Sequence, residues 1–269
     1  CPHPSLRVAI PACITRSRTI LNRQALSYIG DQKMAQGLDL THLDQWIRDH
    51  VPAFEGDLKA EKFAGGQSNP TFKLTAGDNS YVLRRKPMGT LLASAHAVDR
   101  EFKVLSALAP TNVPVPTPVA LCEDDNVIGS MFYIMEYLEG RVFWDPALPE
   151  VSDKDRAAIY DQMNQVMADM HSVDIHQVGL RDYGKPGNYF ERQIGRWTKQ
   201  YRAAEAELIP EMEKLIDWLP RNMPADDGRV SLVHGDYRLD NLIFHPTEPR
   251  IIGILDWELS TLGLSLIHI

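Results

Sequence analysis

The stretch that most constrains this chain is residues 232–258, LVHGDYRLDNLIFHPTEPRIIGILDWE. Two short apolar runs, Ser231-Leu232-Val233 and Ile251-Ile252-Gly253-Ile254-Leu255, each deliver an acidic residue into the turn that follows, and a polar loop ending at Asn241 lies between them. Short apolar runs bounded by polar turns read as buried strands. The pattern is therefore strand, loop, strand, with the chemistry gathered at the strand ends. Asp236 and Asn241 stand five residues apart, and Asp256 follows Asn241 by fifteen.

That spacing matches a phosphoryl-transfer arrangement in which a loop Asp accepts a hydroxyl proton, the loop Asn binds magnesium, and an Asp after the next strand binds magnesium too. Such chemistry asks little covalent work of a protein; it is positioning plus neutralisation of phosphate charge. Magnesium takes hard oxygen ligands and keeps several waters, so one carboxylate and one amide oxygen suffice. A second carboxylate is then left to orient the attacking hydroxyl. Asp236 is the candidate catalytic residue, and Asn241 and Asp256 are the candidate metal ligands. Each has a plainer reading alone, since an acid ending a strand is often a cap. His234 is assigned to loop support, and Asp240 to a solvated or loop-bracing role. Taken together, HGDYRLDN and ILDWE resemble the catalytic loop and metal-binding segment of the aminoglycoside phosphotransferase-like, choline kinase-type family. Its members are similar to protein kinases but carry His-Gly-Asp where those carry His-Arg-Asp. The resemblance covers about residues 38–263. It implies an α+β, two-lobed protein-kinase-like fold with an antiparallel N-lobe sheet plus helix (34–136) and a mainly helical C-lobe (137–263). It also implies ATP and Mg2+ as cofactors and a small-molecule hydroxyl as acceptor.

The 269-residue length suits one large or two smaller cores. No apolar run approaches the roughly eighteen residues needed to span a bilayer. A net charge of −8 argues against a general nucleic-acid binder, whose footprint would be basic. Cys1, Cys13 and Cys122 lack metal or disulfide-framework spacing, which points to a reducing compartment and a cytoplasmic location. Residues 1–33 hold five basic residues against one acid, so their net +4 leaves −12 on the remainder. They read either as an organelle transit peptide or, in the preferred account, as a non-native or disordered leader ahead of a start at Met34.

From residue 38 the pattern becomes periodic. Leu40, Leu43, Ile47 and Val51 share a helical face with Trp46 beside it; Thr41 is the expected N-cap and Pro52 the expected stop. Strands are expected at 58–64, 70–76 and 80–85, separated by Gly65-Gly66-Gln67-Ser68-Asn69 and by Gly77-Asp78-Asn79, a hairpin signal. Alone, the first turn is either a plain hairpin or a loop that lays backbone N–H groups over phosphates. Ahead of HGD and DWE it reads as the nucleotide loop, which makes Gly65, Gly66, Gln67 and Ser68 cofactor-binding candidates.

The third strand carries Arg84, Arg85 and Lys86 where kinases carry a phosphate-binding lysine. Arginine fills that role bidentately, and Arg84 is the choice among the three. Its candidate partner is Glu101, on a helix expected over 94–108, unless Glu101 is an exposed helical carboxylate. Residues 110–118 form an extended connector, and strands follow at 119–122 and 130–137. The resemblance puts the adenine-binding link between lobes at Glu136 and Leu138.

A near capping box at 152–155 opens a helix whose apolar face is Ala158, Ile159, Met163, Val166, Met167 and Met170, with His171 packed or capping at its end. A helix over 189–204 carries Arg192, Arg196 and Lys199 on one side, and another over 205–219 is stopped by Pro220. Residues 264–269 leave the family pattern, so an incomplete C-lobe with an anomalous tail is expected. The segments 141–145, 187–190 and 193–197 most resemble kinase domains fused or adjacent to acyl-CoA dehydrogenases. That likeness implies a hydroxyacyl-CoA acceptor and an acyl-CoA dehydrogenase association. Arg192, Arg196 and Lys199 then either meet coenzyme A phosphates or form a solvated basic face. Competing classes are an aminoglycoside phosphotransferase, an inert nucleotide-binding module, and a metal hydrolase built on His234, Asp236, His245 and Asp256.

Overall fold

The structure is a computed structural model that describes residues 34–35, 37–51, 54–63, 69–88, 97–185, 187–224 and 228–263. The expectations for residues 1–33, for Pro52, for Gly65, Gly66, Gln67 and Ser68, and for residues 264–269 lie outside the described residues. A short antiparallel pair, β1 (Met34–Ala35) and β2 (Leu38–Asp39), leads into α1 (Leu40–His50). The cap is Asp39 and not Thr41: the Asp39 carboxylate accepts the N–H of Thr41 at 2.9 Å and of His42 at 3.3 Å. Thr41 lies inside the first turn, where its own N–H needs a partner. Leu43 and Ile47 are fully buried.

Five antiparallel strands form the first lobe: β3 (Lys59–Lys62), β4 (Thr71–Ala76), β5 (Asn79–Arg85), β6 (Pro118–Cys122) and β7 (Phe132–Glu136), in the order β3-β4-β5-β7-β6. The helix α2 (Val98–Leu108) connects β5 to β6. Strand alternation divides the interior in two. Phe132 and Ile134 of β7 face a core shared with α1, whereas Tyr133 and Met135 face a core shared with α2 and the second lobe.

The second lobe holds α3 (Asp153–His171), α4 (Tyr189–Ala204) and α5 (Pro210–Arg221). Ser152 caps α3 by accepting the Asp155 N–H at 3.1 Å, and Ile159, Val166, Met170 and His171 of that helix are buried. Neither α4 nor α5 contributes a buried residue; Arg202 of α4 pairs with Glu213 of α5. The sequence placed the last helix at 205–219, but it begins at Pro210. A residue before proline is pushed to extended backbone, and proline suits the first helical position. Pro220 lies inside the helix, one residue from its end, where its missing N–H removes a single bond. Two short antiparallel pairs follow, β8 (Ser231–Val233) with β11 (Thr261–Gly263), and β9 (Leu242–Phe244) with β10 (Ile251–Ile254). The expected loop between the apolar runs therefore contains a third strand, β9, and a 3-10 turn at Leu239–Asn241. No described helix is long and apolar enough to cross a membrane.

Candidate active site

The loop after β8 turns sharply because Gly235 has φ +87, and a Cβ there would fall 2.5 Å from the Leu259 carbonyl. His234 is buried, and both its ring nitrogens are engaged. Nε2 donates to the Leu255 carbonyl at 2.8 Å, and Nδ1 accepts the Asp236 N–H at 3.2 Å. Burial holds its pKa below the usual histidine range, against the opposing pull of the Leu255 carbonyl. A neutral ring spent at both nitrogens braces the loop and has no lone pair left for a metal. His245 serves its own turn, accepting the Glu248 N–H at 3.2 Å, and does not line the cleft described below. This geometry disfavours the hydrolase set.

Asp236 is held from two sides. The Asn241 amide nitrogen donates to its backbone carbonyl at 2.9 Å and its carboxylate at 3.1 Å, and Arg238 Nε lies 3.2 Å from the other oxygen. Arg238 also bridges to Asp240 at 2.8 Å, so Asp240 braces the loop. Because the Asn241 nitrogen is committed to Asp236, its amide oxygen is the atom left for a cation. Leu255 N–H donates to the Asn241 carbonyl at 2.8 Å, tying this loop to the end of β10 one residue before Asp256. Asp256 itself adopts φ 65, ψ 57. A non-glycine residue in that left-handed region is held there by its surroundings, as happens at functional sites.

Alternation along β5 sorts the three basic residues. Arg84 turns toward α2, where its Nε lies 3.0 Å from Glu101, and its Nη2 bonds Asp256 and stands 3.9 Å from Glu258. Arg85 points to the opposite face, reaching the Ile128 carbonyl at 3.3 Å. Lys86 lies 3.8 Å from Asp99 near the surface. Glu101 is fully buried, which overturns the alternative of an exposed helical carboxylate, and the Tyr133 hydroxyl donates to it at 3.2 Å.

Sequence reasoning missed two members of this network. Asn69 donates its amide to Glu101 at 3.0 Å and to Glu258 at 3.2 Å. The available signals were position alone: Asn69 is the last residue of the glycine-rich stretch, and Glu258 ends the DWE segment.

Burial pushes Glu101 up to about 7, opposed by Arg84. Burial alone would lower Arg84, but the carboxylates of Glu101, Asp256 and Glu258 more than offset it and hold the guanidinium above its ordinary value. Oxygens of Glu101, Asp256 and Glu258 lie within 4.8 Å of one another. Arg84 stands among these three and engages them, and of the three only Asp256 lines the cleft described below; the hard oxygens that fit a magnesium ion there are the Asp256 carboxylate and the Asn241 amide oxygen.

Arg84, Asn241 and Asp256 line a cleft of about 340 Å³ that also takes in Glu136, Tyr137 and Leu138 of the link between lobes. A Cβ on Gly253 would fall 2.4 Å from Leu138 Cδ1, so a glycine in β10 lets the link settle over it. Glu136 spends its carboxylate on Thr117, accepting from N–H at 3.1 Å and from Oγ1 at 2.7 Å. Asp236 is not among the lining residues, nor are Arg192, Arg196 and Lys199. Arg192 instead donates to the Lys185 carbonyl at 2.8 Å, and Arg196 lies against Trp197.

Residues 59–266 match the model of the phosphotransferase enzyme family. Among curated proteins, the chain is 53% identical over 208 residues to acyl-CoA dehydrogenase family member 10 of Mus musculus, covering 77% of this chain and 19% of that one. The chain spans less than a third of the length of the curated relatives it matches. Among solved structures, it is similar to a Ralstonia eutropha protein provisionally named an aminoglycoside phosphotransferase. That likeness has 57% identity and a TM-score of 0.77, and covers 84% of this chain and 66% of the other. The APH(2'')-IIa ternary complex with streptomycin and ATP shares the fold, at 20% identity and a TM-score of 0.59 over 84% of this chain and 72% of the other.

Proposed function

The chain belongs to the phosphotransferase enzyme family, and from that premise we propose that it moves the terminal phosphoryl group of ATP to a hydroxyl of a small molecule, the acceptor being a hydroxyacyl-CoA. One observation carries the reading. Asn241 and Asp256 meet Arg84 in a single cleft of about 340 Å³, while Asp236 is tied to Asn241 by a 3.1 Å hydrogen bond.

In this reading the nucleotide lies between lobes formed by residues 34–136 and 137–263, its adenine edge on backbone groups of the link at Glu136 and Leu138. The guanidinium fork of Arg84, aimed by Glu101, and the backbone of Gly65, Gly66, Gln67 and Ser68 take the phosphates. Asn241, through its amide oxygen, and Asp256 are the magnesium ligands. The ion, when bound, supplies neutralisation of phosphate charge. Asp236 accepts the proton of the acceptor hydroxyl as that oxygen attacks the terminal phosphorus and the bond to the bridging oxygen breaks, leaving ADP. Asn241 aims the carboxylate, and Arg238 holds its second oxygen.

The curated relatives are named for acyl-CoA dehydrogenases, which supports an acyl thioester as the acceptor class and an acyl-CoA dehydrogenase as the associated activity; the hydroxyl is what phosphoryl transfer requires of it. A cytoplasmic setting suits the buried free thiol of Cys122. A second reading, an aminoglycoside acceptor, is favoured by the name of the Ralstonia relative and by the −8 net charge, which attracts polycations. Magnesium-dependent ATP consumption, measured with hydroxyacyl-CoA and with kanamycin-like compounds, separates them. Stimulation by the thioester is expected. Stimulation by the antibiotic alone reassigns the acceptor, and nucleotide binding without turnover on either leaves an inert module.

A further inference from the structure

Asn69 is fully buried, and it joins two parts of the molecule that lie far apart in sequence. Its backbone belongs to the sheet: its carbonyl accepts from the Thr71 hydroxyl at 3.0 Å, and the adjacent Pro70 carbonyl accepts the Arg85 N–H at 3.0 Å. Its side chain reaches out of that lobe to Glu258, at 3.2 Å, two residues beyond Asp256. The same amide nitrogen donates to Glu101 at 3.0 Å. A neutral amide is the suitable group here. It bridges two carboxylates without adding a charge that competes with Arg84, whereas an aspartate would face both carboxylates and repel them.

We infer that Asn69 and Glu258 are positioning residues that latch the start of β4 onto the Asp256 segment. The latch sets how Arg84, opposite Thr71 in the strand paired with β4, stands against Asp256. The inference rests on the ATP-dependent reading above. Glu258 also stands 3.9 Å from Arg84, so a neutral variant that keeps the acceptor oxygen separates the latch from the charge.

Binding of a non-hydrolysable ATP analogue with magnesium, followed by calorimetry on the full chain, tests it. Glu258→Ala and Asn69→Ala are each expected to weaken binding roughly ten- to a hundredfold, the scale of a lost hydrogen bond to a charged group. Glu258→Gln keeps an acceptor oxygen and is expected to stay within about threefold of wild type. The double alanine variant should bind no worse than the product of the single losses predicts and should fall close to Asn69→Ala alone, because that change already removes the Asn69–Glu258 contact. In nucleotide-free protein, amides just after Asn69 should exchange faster in Glu258→Ala and not in Glu258→Gln. Two results overturn the inference. Equal loss in Glu258→Gln and Glu258→Ala with a shifted magnesium titration makes Glu258 a metal ligand, and a lowered Tm with unchanged nucleotide affinity makes the contact merely structural. Wild-type protein that takes no nucleotide, alongside faster exchange in Glu258→Ala, keeps the latch and discards the kinase reading.

Discussion

Two charged networks that each send residues into one cleft use the same side-chain types in opposite surroundings. In the first, Arg84, Glu101, Asp256, Glu258 and Asn69 form a closed network in which the Arg84 side chain is 11% exposed and Glu101 is not exposed at all. In the second, Arg238, Asp236, Asp240 and Asn241 form a similar set, but the Arg238 side chain is 59% exposed. Buried charges lose their hydration and must be matched by partners, so the first set is rigid and expensive to break. Exposed ion pairs are screened by solvent and salt, so the second set owes its geometry mainly to the buried Asn241. In the proposed reading the buried side sets the shape and the more exposed side does the proton chemistry.

Removing the one cation of the buried side should have the largest effect. Arg84→Met leaves Glu101, Asp256 and Glu258 facing one another, and unfolding by urea should register a loss of about 3–5 kcal/mol. A loss below about 1 kcal/mol would mean that solvent already screens the cluster, and the contrast would collapse. Next, Asp236→Asn on the exposed side should lower turnover on the order of a hundredfold while leaving nucleotide affinity nearly intact. Affinity falling in step with turnover would make Asp236 a binding residue.

The third effect is a pH dependence confined to the buried side. Glu101 is pushed up to about 7 from an ordinary 4.5, so between those values the folded chain keeps a proton that the unfolded chain has released. Its contribution to stability is therefore present at low pH and is lost as pH rises from about 4.5 through 7. Glu101→Gln should remove that slope, so its Tm should fall less than the wild-type Tm across this window. Parallel Tm curves for the two proteins would show that the carboxylate is ionised throughout. The smallest effect is expected for Arg238→Gln, whose exposed pairs should change stability by less than about 1 kcal/mol and less still at high salt.

Much of the candidate site's layout could be read from the chain because its parts are local. His-Gly-Asp, Asn241 and Asp256 sit at strand ends whose apolar runs are visible in the sequence, and strict alternation along β5 separates Arg84 from Arg85. Errors arose where a neighbour outvoted a local pattern. Asp39 displaced Thr41 as the cap because it stands one residue outside the helix, and Pro210 reset the start of α5. The strands β9 and β11, three residues each, are too short to show a period and exist because β10 and β8 offer them edges.

Backbone geometry over a few residues writes turns, caps and strand ends, and that much of this protein its sequence determined alone. The tertiary structure decided which carboxylates share a single guanidinium. Asn69 meets Glu101 across 32 residues of chain and Glu258 across 189. No local rule reports contacts at such separations. They form because packing α2 and the β10 end against the sheet removes these charges from water, and burial makes each of them find its partner.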